Sequence, residues 1–132
     1  MAAGRYSFII EQGATFQLEL QYKDANQTPI DLTNYSGRMQ IRPNAASSTV
    51  YLTLSSSLES DGTGLNFSGS NNSTPPTSGS IGIYIASCTS SMLSFDGPAY
   101  YDLELYSGSA PCPFTIRLLE GQVQLSKEIT RP

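Results

Sequence analysis

Histidine and tryptophan are both missing from the 132 residues. Without histidine the commonest general base at neutral pH is gone, along with the commonest metal ligand, so Ser-His-Asp and Cys-His catalytic arrangements are excluded. Charge is scarce too: 14% of the residues are Asp, Glu, Lys or Arg, against roughly 25% in an ordinary soluble domain. Seven basic residues against eleven acidic ones leave a net charge of -4. The seven are scattered, so no basic tract exists to neutralise phosphates, and nucleic acid is not an expected partner. No apolar run reaches the roughly 18 residues a membrane-spanning helix needs. Met1-Ala2-Ala3-Gly4-Arg5 leads straight into alternating sequence without the continuous apolar stretch of a secretory signal. No membrane partner is expected, and the chain is expected to be made in a cytoplasm. Its two cysteines, Cys88 and Cys112, are then expected as free thiols, a disulfide between them being the alternative.

What the chain does have is alternation. Apolar and polar residues change places with the period of two that marks strands with one buried and one exposed face. Phe16, Leu18, Leu20 and Tyr22 interleave with Gln17, Glu19 and Gln21, and a slip of one residue would bury Glu19, so the register is fixed. Tyr6, Phe8 and Ile10, then Met39 and Ile41, then Val50, Leu52 and Leu54, follow the same pattern. In the second half Ile81, Ile83 and Ile85 precede Tyr101, Leu103 and Leu105. Phe114, Ile116 and Leu118, and then Val123 and Leu125, read as two further strands joined by a tight bend at Glu120-Gly121. Thr89 to Phe95 is the segment expected to hold a helical turn. Asp24 and Asn26 are read as turn formers, and residues 55–80 as a polar loop region around a short Leu65/Phe67 strand.

Length and pattern together give one domain over residues 1–132, with short terminal extensions: an all-β, immunoglobulin-like antiparallel β-sandwich of about seven to eight strands, an open barrel being the alternative. No catalytic, cofactor-binding or metal-binding set emerges. Asp102 and Glu104 emerge on one face of a strand, as a pair of catalytic carboxylates would, but they fit the exposed row opposite Tyr101, Leu103 and Leu105. Asp24, Asn26 and Asp31 lack the spacing of a calcium loop, and Asp61-Gly62-Thr63-Gly64 lacks the lysine of a phosphate loop. Tyr51, Tyr84 and Tyr106 stand out of phase with their apolar neighbours, and Ile129 lies beyond the last strand. These four are the candidate partner contacts, since tyrosine and isolated apolar residues on a surface suit protein interfaces.

One resemblance adds to this reading. Gly13-Ala14-Thr15-Phe16, Leu18 to Asp24, Pro29-Ile30-Asp31-Leu32-Thr33-Asn34-Tyr35 and Arg38 to Arg42, followed later by Tyr101 to Leu105, Arg117 to Val123 and Thr130-Arg131, resemble in order and spacing the immunoglobulin-like domains of tailed-bacteriophage structural proteins, such as those of baseplate upper proteins and tail-fibre-associated proteins. The long polar middle and the Ala110-Pro111-Cys112-Pro113 insertion depart from that pattern. The resemblance implies a virion protein without cofactor or catalytic activity. It would serve as an adaptor at the tail, baseplate or fibre attachment region and bind other virion proteins and copies of itself in a symmetric homo-oligomeric assembly. A capsid decoration protein of the same fold is the nearest alternative, and a carbohydrate-binding module is a third.

Overall fold

The alternating segments fold into two facing sheets, in a computed structural model that describes residues 4–67, 78–108 and 112–130. Part of the polar middle, the Ala110-Pro111 portion of the insertion and Arg131-Pro132 lie outside the described residues. The larger sheet contains β1 (Gly4–Arg5), β2 (Phe8–Glu11), β4 (Ser36–Arg42), β5 (Leu52–Ser55), β8 (Ala99–Ser107) and β9 (Phe114–Ser126). The smaller contains β3 (Phe16–Gln21), β6 (Gly64–Asn66) and β7 (Ser80–Ile85). Strands β9, β8, β4 and β5 lie side by side, with β1 and β2 both on the far side of β9, while the smaller sheet runs β3-β7-β6. All pairings are antiparallel except those of β1 and β2 with β9. This is the strand order of an immunoglobulin-like sandwich, a central pair flanked by β4 and an additional strand, facing a three-stranded layer. Since β1 and β2 keep one register along β9, they form a single interrupted edge, and the nine segments amount to eight strands.

The core lies between the layers. Ile81, Ile83 and Ile85 of β7 are fully buried, as are Met39 and Ile41 of β4 and Leu103 and Leu105 of β8. Ile83 and Ile85 belong to the main cluster with Met39, Ile41 and Leu103, while Ile81 and Leu105 close a second cluster around Leu32. Each such side chain contributes roughly 1.5 to 3 kcal/mol by leaving water. The Asp31-Leu32-Thr33-Asn34-Tyr35 corner works as its residue types suggest. The Asp31 carboxylate accepts from the backbone N–H and hydroxyl of Thr33, Tyr35 N–H donates to Leu32 C=O, and Leu32 drops into the core. Asp24 likewise closes its turn, accepting from Asn26 and Thr28 N–H, with Gln27 at a positive φ. The helical turn, α1 (Ser87–Ser90), starts two residues before Thr89. Buried Ser90 ties it to the preceding layer by donating to Ala14 C=O and accepting from Gly13 N–H.

One expected element is absent. Residues 114–126 form a single strand with no bend at Glu120-Gly121. Leu103 pairs with Leu119 but Glu104 pairs with Arg117, so Leu118 is an extra residue on β9. Such a bulge reverses which side chains face inward. Ile116 lies opposite buried Leu105 before it, Leu118 packs on the core at the bulge itself, and Leu119, Val123 and Leu125 pack on the core after it. In a linear reading the same change of phase looks like a turn between two strands. Gly121 has a different reason to be there. It lies opposite Tyr101, and a Cβ on it would sit 2.0 Å from Tyr6 C=O. That carbonyl accepts from the Tyr101 hydroxyl at 2.6 Å, which pins the interruption between β1 and β2.

Two stability changes follow. Ile83→Ala, at the centre of the buried layer, is expected to cost about 2 to 5 kcal/mol, read as a lower urea midpoint with unchanged slope. Tyr101→Phe removes one hydrogen bond and is expected to cost about 1 kcal/mol, with faster amide exchange confined to residues 4–8.

Candidate functional site

The outer face of the larger sheet carries an array of charged and polar side chains set side by side. The alternation that turns Tyr101, Leu103 and Leu105 inward turns Tyr100, Asp102, Glu104 and Tyr106 outward. Pairing then sets other strands beside them. Arg42, Gln40 and Arg38 of β4 lie opposite Tyr100, Asp102 and Glu104, while Gln122, Glu120 and Arg117 of β9 lie on the other side. The result is an array three strands wide.

Arginine spaces the carboxylates in this array. Arg38 Nε donates to Glu104 at 2.8 Å, and its guanidinium lies 4.7 Å from the centre of the Tyr106 ring. Arg117 approaches Asp102 at 3.4 Å and Glu120 at 3.9 Å. Arg42 donates to Gln40 Oε1 and, at 2.7 Å, to Ser47 C=O. Exposed pairs of this kind contribute little to stability, about 0 to 1 kcal/mol each. Their effect is to hold side chains in one arrangement. Between them is a shallow concavity of about 470 Å³, lined by Gln40, Arg42, Asn44, Tyr100, Asp102 and Glu120 among others. Partial burial among the side chains of the neighbouring strands, followed by the charges of Glu104 and Glu120, pushes the Asp102 carboxyl above its ordinary value, against the pull of Arg117 and Arg42.

The four residues singled out from the sequence do not converge. Tyr51 is half-buried and packs against the core, stacked on Phe95 with ring centres 4.5 Å apart. Tyr106 lies on the outer face just described, under Arg38. Tyr84 lies on the opposite face of the molecule, in the row of Gln17 and Gly64, with its ring against Gly62. Ile129 follows β9 and is 98% exposed. Asp102 and Glu104 stand in the outer polar row, each beside an arginine. Sequence reading did not single out Arg38, Arg42, Arg117, Gln40, Tyr100 or Glu120. The signal for Tyr100 was present, because it alternates with Tyr101 as Tyr106 does with Leu105. For the others the signal was polar periodicity alone, and only strand pairing makes them neighbours.

Cys88 and Cys112 are free thiols, both exposed. Cys88 lies on α1, and Cys112 at the opposite end of the sandwich, just before β9. Asp61 accepts from Thr63 N–H and from the Thr89 hydroxyl, with the Cys88 thiol at 3.4 Å. These bonds, that from Thr63 N–H foremost, hold its carboxyl well below the ordinary range. They fasten the connection before β6 to α1. Among the described residues no group of three or more Cys, Asp or Glu side chains is placed to hold a metal ion, and no helix is long and apolar enough to cross a membrane. The chain matches no protein-family model and no curated protein.

The outer array makes a pH-dependent prediction. A raised carboxyl means that the native state takes up a proton more readily than the unfolded chain. The contribution of Asp102 to stability is therefore greatest below the ordinary carboxylate value of 3.8 and is lost as pH rises through its higher folded value. Asp102→Asn is accordingly expected to raise the urea midpoint above wild type at neutral pH, and the two midpoints should converge as pH falls to about 3.5.

Proposed function

We propose that this chain is a structural protein of a tailed-bacteriophage virion, acting as an adaptor at the tail, baseplate or fibre attachment region by binding other virion proteins and copies of itself. The observation that carries the binding role is the makeup of the larger sheet's outer face. It presents Arg38, Arg42 and Arg117 with Tyr100 and Tyr106, and no strand of that sheet contains a lysine. Arginine and tyrosine are the residues enriched where proteins meet, and lysine is depleted there. The cross-strand pairs fix these side chains before a partner arrives, which lowers the entropy lost on binding. The low overall charge acts in the same direction, since Ser, Thr and Asn lose less than Lys or Glu when a surface is taken out of water. The phage assignment rests on the order of residue motifs from Gly13 to Arg42 and from Tyr101 to Arg131.

Immunogold labelling of intact particles tests this reading. Label at the tail tip or fibre attachment is the expected result, label over the capsid would mean a decoration protein instead, and unlabelled particles would overturn the virion assignment. Arg38→Glu, which places a like charge beside Glu104, is expected to reduce incorporation into particles at least tenfold, with the circular dichroism of the isolated protein unchanged.

A further inference from the structure

Strand β2 is an open edge with the wrong surface for remaining alone. Its partner β9 lies on one side, and among the described residues no strand lies on the other. The backbone N–H groups of Tyr6 and Gln12 donate to β9, to Glu120 C=O and Ser126 C=O. By the alternation of a strand, Phe8 and Ile10 also face β9, while the N–H and C=O groups of Ser7 and Ile9 and the N–H of Glu11 point outward from the sheet, the Glu11 C=O already accepting from Ala14 N–H in the turn that follows. Edges left in water are usually guarded by lysine, proline or a bulge. Here Tyr6-Ser7-Phe8-Ile9-Ile10 has no such guard, is rich in residues that favour strands, and ends in a single charge at Glu11. Ile9 itself is 56% exposed on the outer face, beside a small recess of about 270 Å³ lined by Ser7, Gln122 and Gln124.

We propose that β2 pairs antiparallel with β2 of a second copy about a two-fold axis through Ile9, joining the two larger sheets into one continuous sheet. The segment is complementary to itself in that register. Ile9 meets Ile9 of the second copy in a hydrogen-bonded pair, so the most exposed apolar side chain of the edge covers its own counterpart. Ser7 meets Glu11 on each side of the axis. The Ser7 hydroxyl already accepts from Gln122 N–H, and in this pairing its own proton would donate to the Glu11 carboxylate of the second copy. Phe8 meets Ile10 on the inner side, continuing the apolar layer. No like charges face each other across the join, which would cost stability. Two of the other edges, β3 and β5, fit less well. Strand β3 carries Glu19 at its middle, so the same symmetry would set carboxylate against carboxylate. The outward residue within β5 is Thr53, with no large exposed apolar side chain on that strand. The pairing holds whether or not the chain belongs to a virion, and it identifies one specific partner surface.

Light scattering on the purified full chain at about 100 µM, where contacts of micromolar affinity are saturated, is expected to give twice the monomer mass. Ile9→Pro leaves the β2–β9 ladder intact, because the lost N–H points away from β9, and is expected to be monomeric with unchanged circular dichroism. Ile9→Lys and Ile9→Glu are each expected to be monomeric alone and to form a mixed dimer when combined. Monomeric wild-type protein would overturn the proposal. So would a dimer that survives Ile9→Pro, or a Lys and Glu mixture that stays monomeric, because each would put the contact elsewhere. Particle labelling is unaffected by any of these outcomes, so the two readings fail separately.

Discussion

The molecule depends on one contact, the packing of the isoleucine row of β7 against Met39, Ile41, Leu103 and Leu105 of the larger sheet. Those side chains are within 1% of full burial, and interiors packed at that density tolerate little change of volume. Because a strand's side chains alternate, fixing the inner row also fixes which residues face water. The outer array of Arg38, Gln40, Arg42, Asp102, Glu104 and Glu120 is therefore a consequence of the core, held in register by the apolar residues behind it.

The two sheets differ in width, and this shapes the surface. The first stretch of the chain pairs with β9 rather than with β3, which widens the larger sheet and places the Tyr6-to-Glu11 segment at its margin. Gly121 and the Tyr101 hydroxyl accommodate the crossing by letting the Tyr6 carbonyl come close to β9 and supplying it with a donor. An unusually apolar edge and an arginine and tyrosine face thus lie on the same layer. Both are the surfaces on which the proposed binding roles rest.

The ends of the sandwich are closed by side-chain bonds to backbone as well as by apolar packing of Leu32, Leu93 and Phe95. Asp24, Asp31 and Asp61 each satisfy turn N–H groups, and Ser90 and Gln12 lash the connection before β3 to the α1 segment. Short polar residues do this well because their side chains reach nearby backbone groups at small entropic cost. They also account for much of the Ser, Thr, Asn and Asp in a chain with so little charge.

Much of this was legible in the linear sequence. The strands announced themselves through alternation. The exclusion of histidine chemistry needed composition alone. These are local properties, set by side chains two or three residues apart. The bulge at Leu118 was not legible, because an extra residue in one strand and a turn between two strands give the same change of phase. Nor was the inward packing of Tyr51, which depends on Phe95, distant in sequence and brought near only by the fold. The arginine and carboxylate array and the open edge at Ile9 lay equally beyond reach. Both are set by which strands become neighbours, and that choice is made by the whole core, with no short stretch of residues encoding it.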